Sequence, residues 1–291
     1  MSSDSIDDSS APLIEHLAEL RTRLIRSVLA FTIAMLASFA FAEPMLNFLV
    51  EPIAEIMRQR GQNPQLIFTA PQEKFFVLFQ ISMLAGLAFS FPVIAFQLWR
   101  FVAPGLYKNE QGAFLPFMIA SPVLFVMGAS FAHFIVTPLA MNFFIGFADI
   151  IPNLTQILSG GEVSDIADTE VKTIFLGSVK ESLAITLKFI FAFGLCFQLP
   201  VLLTLMGMAG LVSAAGLRNV RKYAIVGILV LAALVTPPDV VTQIILFSVV
   251  YALYEVSILL VAMVEKKRND RLKAEGIYFE DDDDDKHPDE A

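Results

Sequence analysis

Six apolar stretches of spanning or near-spanning length fill the 291 residues and leave almost no room for a water-soluble core. The charge-free runs are Ser27 to Ala42, Phe75 to Trp99, Gln111 to Ala148, Phe189 to Leu217, Tyr223 to Pro238, and Val240 to Val264, the last interrupted by Glu255. A helix crosses hydrocarbon in about 20 apolar residues, and only helices or closed barrels satisfy their own backbone there. Each run is therefore a candidate transmembrane helix, and the fold class is all-α, a polytopic membrane protein. The first and fifth runs hold only 16 residues and must recruit flanking residues or thin the bilayer. The third, at 38 residues, is too long for one span. Thr137-Pro138 is expected to end or kink it, leaving Met141 to Ala148 as an apolar cap outside.

Basic residues set the orientation. With the N-terminus in the cytoplasm, 14 of the lysines and arginines lie inside, from Arg21, Arg23 and Arg26 through Arg218 to Lys222 and on to Lys286, against 5 outside. That asymmetry places both termini in the cytoplasm. The net charge of −9 belongs to the ends: residues 280–291 carry −7, Asp4, Asp7 and Asp8 add −3, and the body between is +1. We therefore expect a disordered acidic tail over 1–11, a membrane domain over 12–265, and a basic then acidic disordered tail over 266–291.

The chemistry-bearing residues exclude more than they suggest. Cys196 is alone, and His16, His133 and His287 are scattered, so neither a disulfide nor a metal is implied. There is no phosphate-binding glycine loop and no nucleophile elbow. No enzyme and no cofactor are expected.

Polar groups at the membrane edge remain. Pro12 to Leu24 has leucines at helical spacing and reads as an amphipathic helix lying on the membrane. Glu15, Glu19, Arg23 and Arg26 fall on its polar side. Glu19 can pair with Arg23 or receive an external guanidinium. Pro44 to Arg60, with Leu49, Ile53, Ile56 and Met57, reads as a short helix on the outer surface. Pro104-Gly105 sets a tight turn between spans two and three, flanked by Trp99, Phe101 and Tyr107 as interface anchors, and Glu110 follows it at the cytoplasmic mouth. Asp239, after Pro237-Pro238, caps span six. Inside the spans, Glu255 is a functional candidate by default, and Gln198 can bridge to a partner helix or bond the carbonyl that Pro200 frees.

Five motifs are then recognisable together: His16-Leu-x-Glu19-Leu-Arg21-x-Arg23, Thr69-x-Pro71-x-Glu73-x-Phe75-Phe76, Trp99-x-Phe101-x-x-Pro104-Gly105-Leu-Tyr107-x-x-Glu110, Phe197-Gln198-x-Pro200 and Thr236-Pro237-Pro238-Asp239. In order and spacing they strongly resemble the TatC family, the polytopic subunit of the twin-arginine translocase, over roughly residues 12 to 265. The resemblance implies six helices in a concave, cup-like bundle in the bacterial cytoplasmic membrane. It also implies a receptor for the twin-arginine signal peptides of folded cargo, export driven by the proton-motive force, and assembly with TatB-like and TatA-like single-span subunits. By motif position Glu19 and Glu110 are the acids expected to contact the signal peptide, with Arg21 and Phe101 as weaker candidates. Two positions depart from the pattern: Gln198 stands where relatives commonly have glutamate, and Gln80 where they often have lysine. The alternative class is a proton-coupled small-solute transporter, which also needs buried polar residues and prolines within its spans.

Overall fold

The computed structural model describes residues 4–61, 63–102, 114–146, 177–236 and 239–274. Among the described residues, five helices are long and apolar enough to cross a membrane, spanning Leu17–Phe39, Glu73–Leu98, Ile119–Gly146, Val179–Met208 and Val240–Asp270. The fifth apolar run of the sequence forms a sixth, shorter helix of 15 residues, Arg221–Val235, roughly 22 Å long.

In chain order these are α1 (Asp4–Phe39), α2 (Ala42–Gln59), α3 (Glu73–Val102), α4 (Phe114–Phe131, continuing through a π-turn at Ala132–Val136 and a helix over 137–146), α5 (Val179–Cys196), α6 (Leu199–Met208), α7 (Ala214–Asn219), α8 (Arg221–Val235) and α9 (Val240–Ala274). Two short strands, β1 (Leu66–Ile67) and β2 (Gly177–Ser178), pair in parallel with Leu66 opposite Gly177 and Ile67 opposite Ser178.

Helix α1 is continuous from Asp4 to Phe39. The surface helix and the first span expected separately are one rod, because nothing between Arg23 and Ser27 breaks a helix. Leu17, Leu24 and Leu29 stay exposed on it, as lipid-facing residues do. Helix α9 likewise runs on past Val264 to Ala274, through lysines and arginines that favour helix.

Helix α2 forms as its spacing predicts. Leu46, Leu49, Ile53, Ile56 and Met57 make its buried face, and Gly61, at φ 69°, ends it in the left-handed region. The residues after Pro138 do not leave the helix. The π-turn widens the helix just before the proline, and the helix resumes over 137–146. Met141 and Ile145 then pack on Ile53, Ile56 and Met57, so the end of α4 and α2 together build a cap on one end of the bundle. We call this the α2 end, and the other the α7 end.

Backbone closeness holds the spans together. A Cβ on Gly128 of α4 would lie 2.5 Å from the Phe193 carbonyl oxygen of α5, and one on Gly86 of α3 would lie 2.7 Å from the Met35 Cα of α1. Small residues give such approach in lipid, where apolar burial supplies no force between helices. The main core runs from α2 and α3 through α4 and α5 to α8 and α9. Buried Cys196 belongs to it as a free thiol.

Candidate functional site

Helices α1 and α3 run antiparallel, in contact at Met35 and Gly86. Glu19 lies 16 residues before Met35, and Phe101 lies 15 residues after Gly86, which is roughly 24 Å and 22 Å of helix. The two therefore share a level at the α7 end. There Glu19 accepts from Arg23 Nε at 3.1 Å and also from Arg23 Nη2. Its side chain remains 36% exposed. This carboxylate is thus already engaged by two nitrogens of one guanidinium, both on its Oε1. Arg21 is exposed on the same helix, and Phe101 is half-buried in the last turn of α3. Glu110, Pro104 and Gly105 lie outside the described residues, as do Pro237 and Pro238.

The opposite end is tied by a carboxylate that the sequence reading left without a role. Glu73 is 4% exposed and starts α3. Its Oε2 accepts from Thr69 N at 2.7 Å, Thr69 Oγ1 at 2.7 Å and Ala70 N at 3.2 Å. Its Oε1 accepts from Ser178 Oγ at 3.2 Å and Lys180 N at 3.2 Å. The Lys180 amide is one of the orphan donors in the first turn of α5, so one negative group serves the starts of two helices at once. The β1–β2 pair sits directly beside this junction.

Inside the spans the polar groups find partners within the chain. Gln198, in the turn between α5 and α6, donates from Nε2 to the Ser121 carbonyl at 2.9 Å and accepts from Ser121 Oγ at 2.7 Å. Both halves of the amide are used across to α4, and the carbonyl freed by Pro200 is not its target. Glu255 of α9 accepts from Arg221 Nη2 at 2.6 Å. Asp239 accepts from Thr242 N at 2.7 Å and from Thr242 Oγ1, closing the first turn of α9. Further along α9, Tyr254 donates to the Leu217 carbonyl at 2.7 Å and Glu265 accepts from Ala214 N at 3.0 Å. These two contacts hold α7 against α9.

The arrangement offers carboxylates and donors for recognition, with no nucleophile and base brought together among the described residues. The polar groups near Glu19 cluster at the α7 end, whereas Glu73, Gln198, Glu255 and Asp239 each close a contact between or within helices. The signal that could have found Glu73 is an acid placed just ahead of an apolar run, where a helix start favours negative charge. No local signal pairs Gln198 with Ser121.

Comparison with known proteins agrees with this architecture. The family model described as Sec-independent protein translocase protein (TatC) matches residues 15–248. A relative from Magnetococcus marinus, a Sec-independent protein translocase protein TatC, is 40% identical over 287 residues, covering 97% of this chain and 97% of that protein. The protein of the same name from Escherichia coli K12 is 33% identical over 254 residues, 87% of this chain and 89% of that one. A crystal structure of the twin arginine translocase receptor TatC superposes with a TM-score of 0.69 at 37% identity, over 86% of this chain and 99% of that chain. With nearly the whole length matched on both sides and the helices in the same order, the chain belongs to the TatC family of Sec-independent protein translocase proteins.

Proposed function

We propose that this protein is the signal-peptide receptor of a twin-arginine translocase and the scaffold on which its TatB-like and TatA-like single-span subunits assemble. It sits in the bacterial cytoplasmic membrane with both termini in the cytoplasm, and the export of folded cargo that it serves draws on the proton-motive force. The observation that carries the reading is the level shared by Glu19 and Phe101 on two antiparallel helices. Pro104, Gly105 and Glu110 follow the end of α3 at Val102 in the sequence. Glu19 and Glu110 each receive one guanidinium of the arginine pair, and the contact between Arg23 and Glu19 supports the capacity of this carboxylate to do so. Arg21 and Phe101 frame the bound peptide. A small-solute transporter is not favoured, since the relatives are translocase proteins.

Peptide binding by Glu19→Ala, Glu110→Ala and the double variant tests the assignment. A charged hydrogen bond is worth about 1.5–3 kcal/mol, so each single variant should bind a twin-arginine peptide roughly tenfold to 150-fold more weakly, and the pair should nearly abolish binding. Lysines in place of the peptide's arginines should cost less than losing either acid, because the charge persists while the planar fork is lost. Wild-type affinity in the double variant would reject both residues.

A further inference from the structure

A groove of about 460 Å³ lies between α1, α3 and α5, and its walls are apolar except for Gln80 and Lys188. Phe31 of α1 and Phe191 of α5 flank it, with Leu84 and Ala184 between. Lys188 is nine residues into α5, roughly 13 Å from the start of that helix and about a third of the way along the 30-residue span Val179–Met208. Gln80 is seven residues into α3, roughly 10 Å from the same end. Both side chains are exposed, and among the described residues neither has a hydrogen bond or ion pair.

An ammonium facing hydrocarbon at that depth is expensive and marks a site by default. A four-carbon stem covers only about half of the distance back to the start of α5. The chain's own acids do not answer it. Glu73 is held by five donors, Asp239 by Thr242 and Glu255 by Arg221. A second copy of the chain offers those same engaged acids, and a lipid phosphate stays in the headgroup layer.

We propose that the groove seats a membrane-spanning helix from a partner chain, which presents a carboxylate to Lys188 and a further hydrogen bond to Gln80. A helix is the form in which a carboxylate reaches that depth with its backbone already satisfied. The proposal deepens the scaffold reading above and rests on it, by naming where a single-span subunit docks and the chemistry it must carry.

The test uses the full chain in vesicles of uncharged lipid, with labelled single-span leucine–alanine helices bearing Glu, Gln or Leu at mid-span, and energy transfer as the readout of association. The Glu helix should associate about tenfold more strongly than the Leu helix, the scale of a polar contact between helices in lipid, with the Gln helix between them. Lys188→Met should erase the preference, and Lys188→Glu should transfer it to a helix bearing Lys. Equal association of all three helices with the unmodified protein, as a lipid-filled groove would give, overturns the proposal. A preference that survives Lys188→Met overturns it too. Signal-peptide binding, measured on the same vesicles, reports the receptor reading separately, because none of these substitutions touches Glu19 or Glu110.

Discussion

Glu73 accepts five hydrogen bonds from residues on both sides of a gap of more than 100 positions. A carboxylate is acceptor-only, and its donors include three backbone amides, those of Thr69, Ala70 and Lys180. Removing one side of a buried bond strands the other, at about 1–3 kcal/mol for each group that water cannot fully reach. Glu73→Ala should therefore cost about 3–5 kcal/mol, read as a lower thermal unfolding midpoint in detergent. Glu73→Gln keeps one acceptor oxygen and should lose about half as much. Full stability in the Gln variant beside a large loss in the Ala variant would mean that the side chain's bulk matters and its second acceptor oxygen does not. Sequence reading reached the Thr69-x-Pro71-x-Glu73 motif but not its function, since Ser178 and Lys180 are 105 and 107 residues away and no periodicity relates them. Gln198 was not legible for the same reason: its contact within the chain, Ser121, lies at a separation of 77 residues.

Local pattern performed better for helices than for single polar groups. Period and punctuation placed α2 at Pro44 to Arg60 against an observed Ala42–Gln59, because one apolar face and a terminal glycine define that helix without help from elsewhere. The same cues could not show that α1 is a single rod or that a π-turn absorbs Pro138, since both depend on how a continuous apolar helix relaxes around its neighbours. Which helices touch was equally hidden, and glycines turn out to mark the contacts. At Gly128 an added methyl would meet the Phe193 backbone, whereas at Gly227 of α8 nothing lies within 4 Å. Gly128→Ala should thus force α4 and α5 apart and cost about 1–3 kcal/mol. Gly227→Ala should be neutral or gain up to about 1 kcal/mol through helix propensity. Thermal unfolding of the two variants side by side checks this, and similar midpoints would remove the close-approach account of Gly128.

At the scale of the whole molecule, the order of the apolar runs was enough to give the class, and five spaced motifs were enough for the family. What joins the two halves was not visible: the parallel pairing of Leu66–Ile67 with Gly177–Ser178 and the carboxylate beside it. That junction has a consequence for biogenesis. The ribosome releases Glu73 long before Lys180, so the first three spans must enter the bilayer while the carboxylate lacks its second set of donors. Closure then waits for the fourth span to thread, which makes the junction a record of insertion order. A chain truncated after residue 150 should leave the segment from 61 to 72 open to protease applied from the α2 side, whereas the full chain resists cleavage there. Equal resistance in both would show that the first half matures alone, with the later strand a bystander to a process already finished.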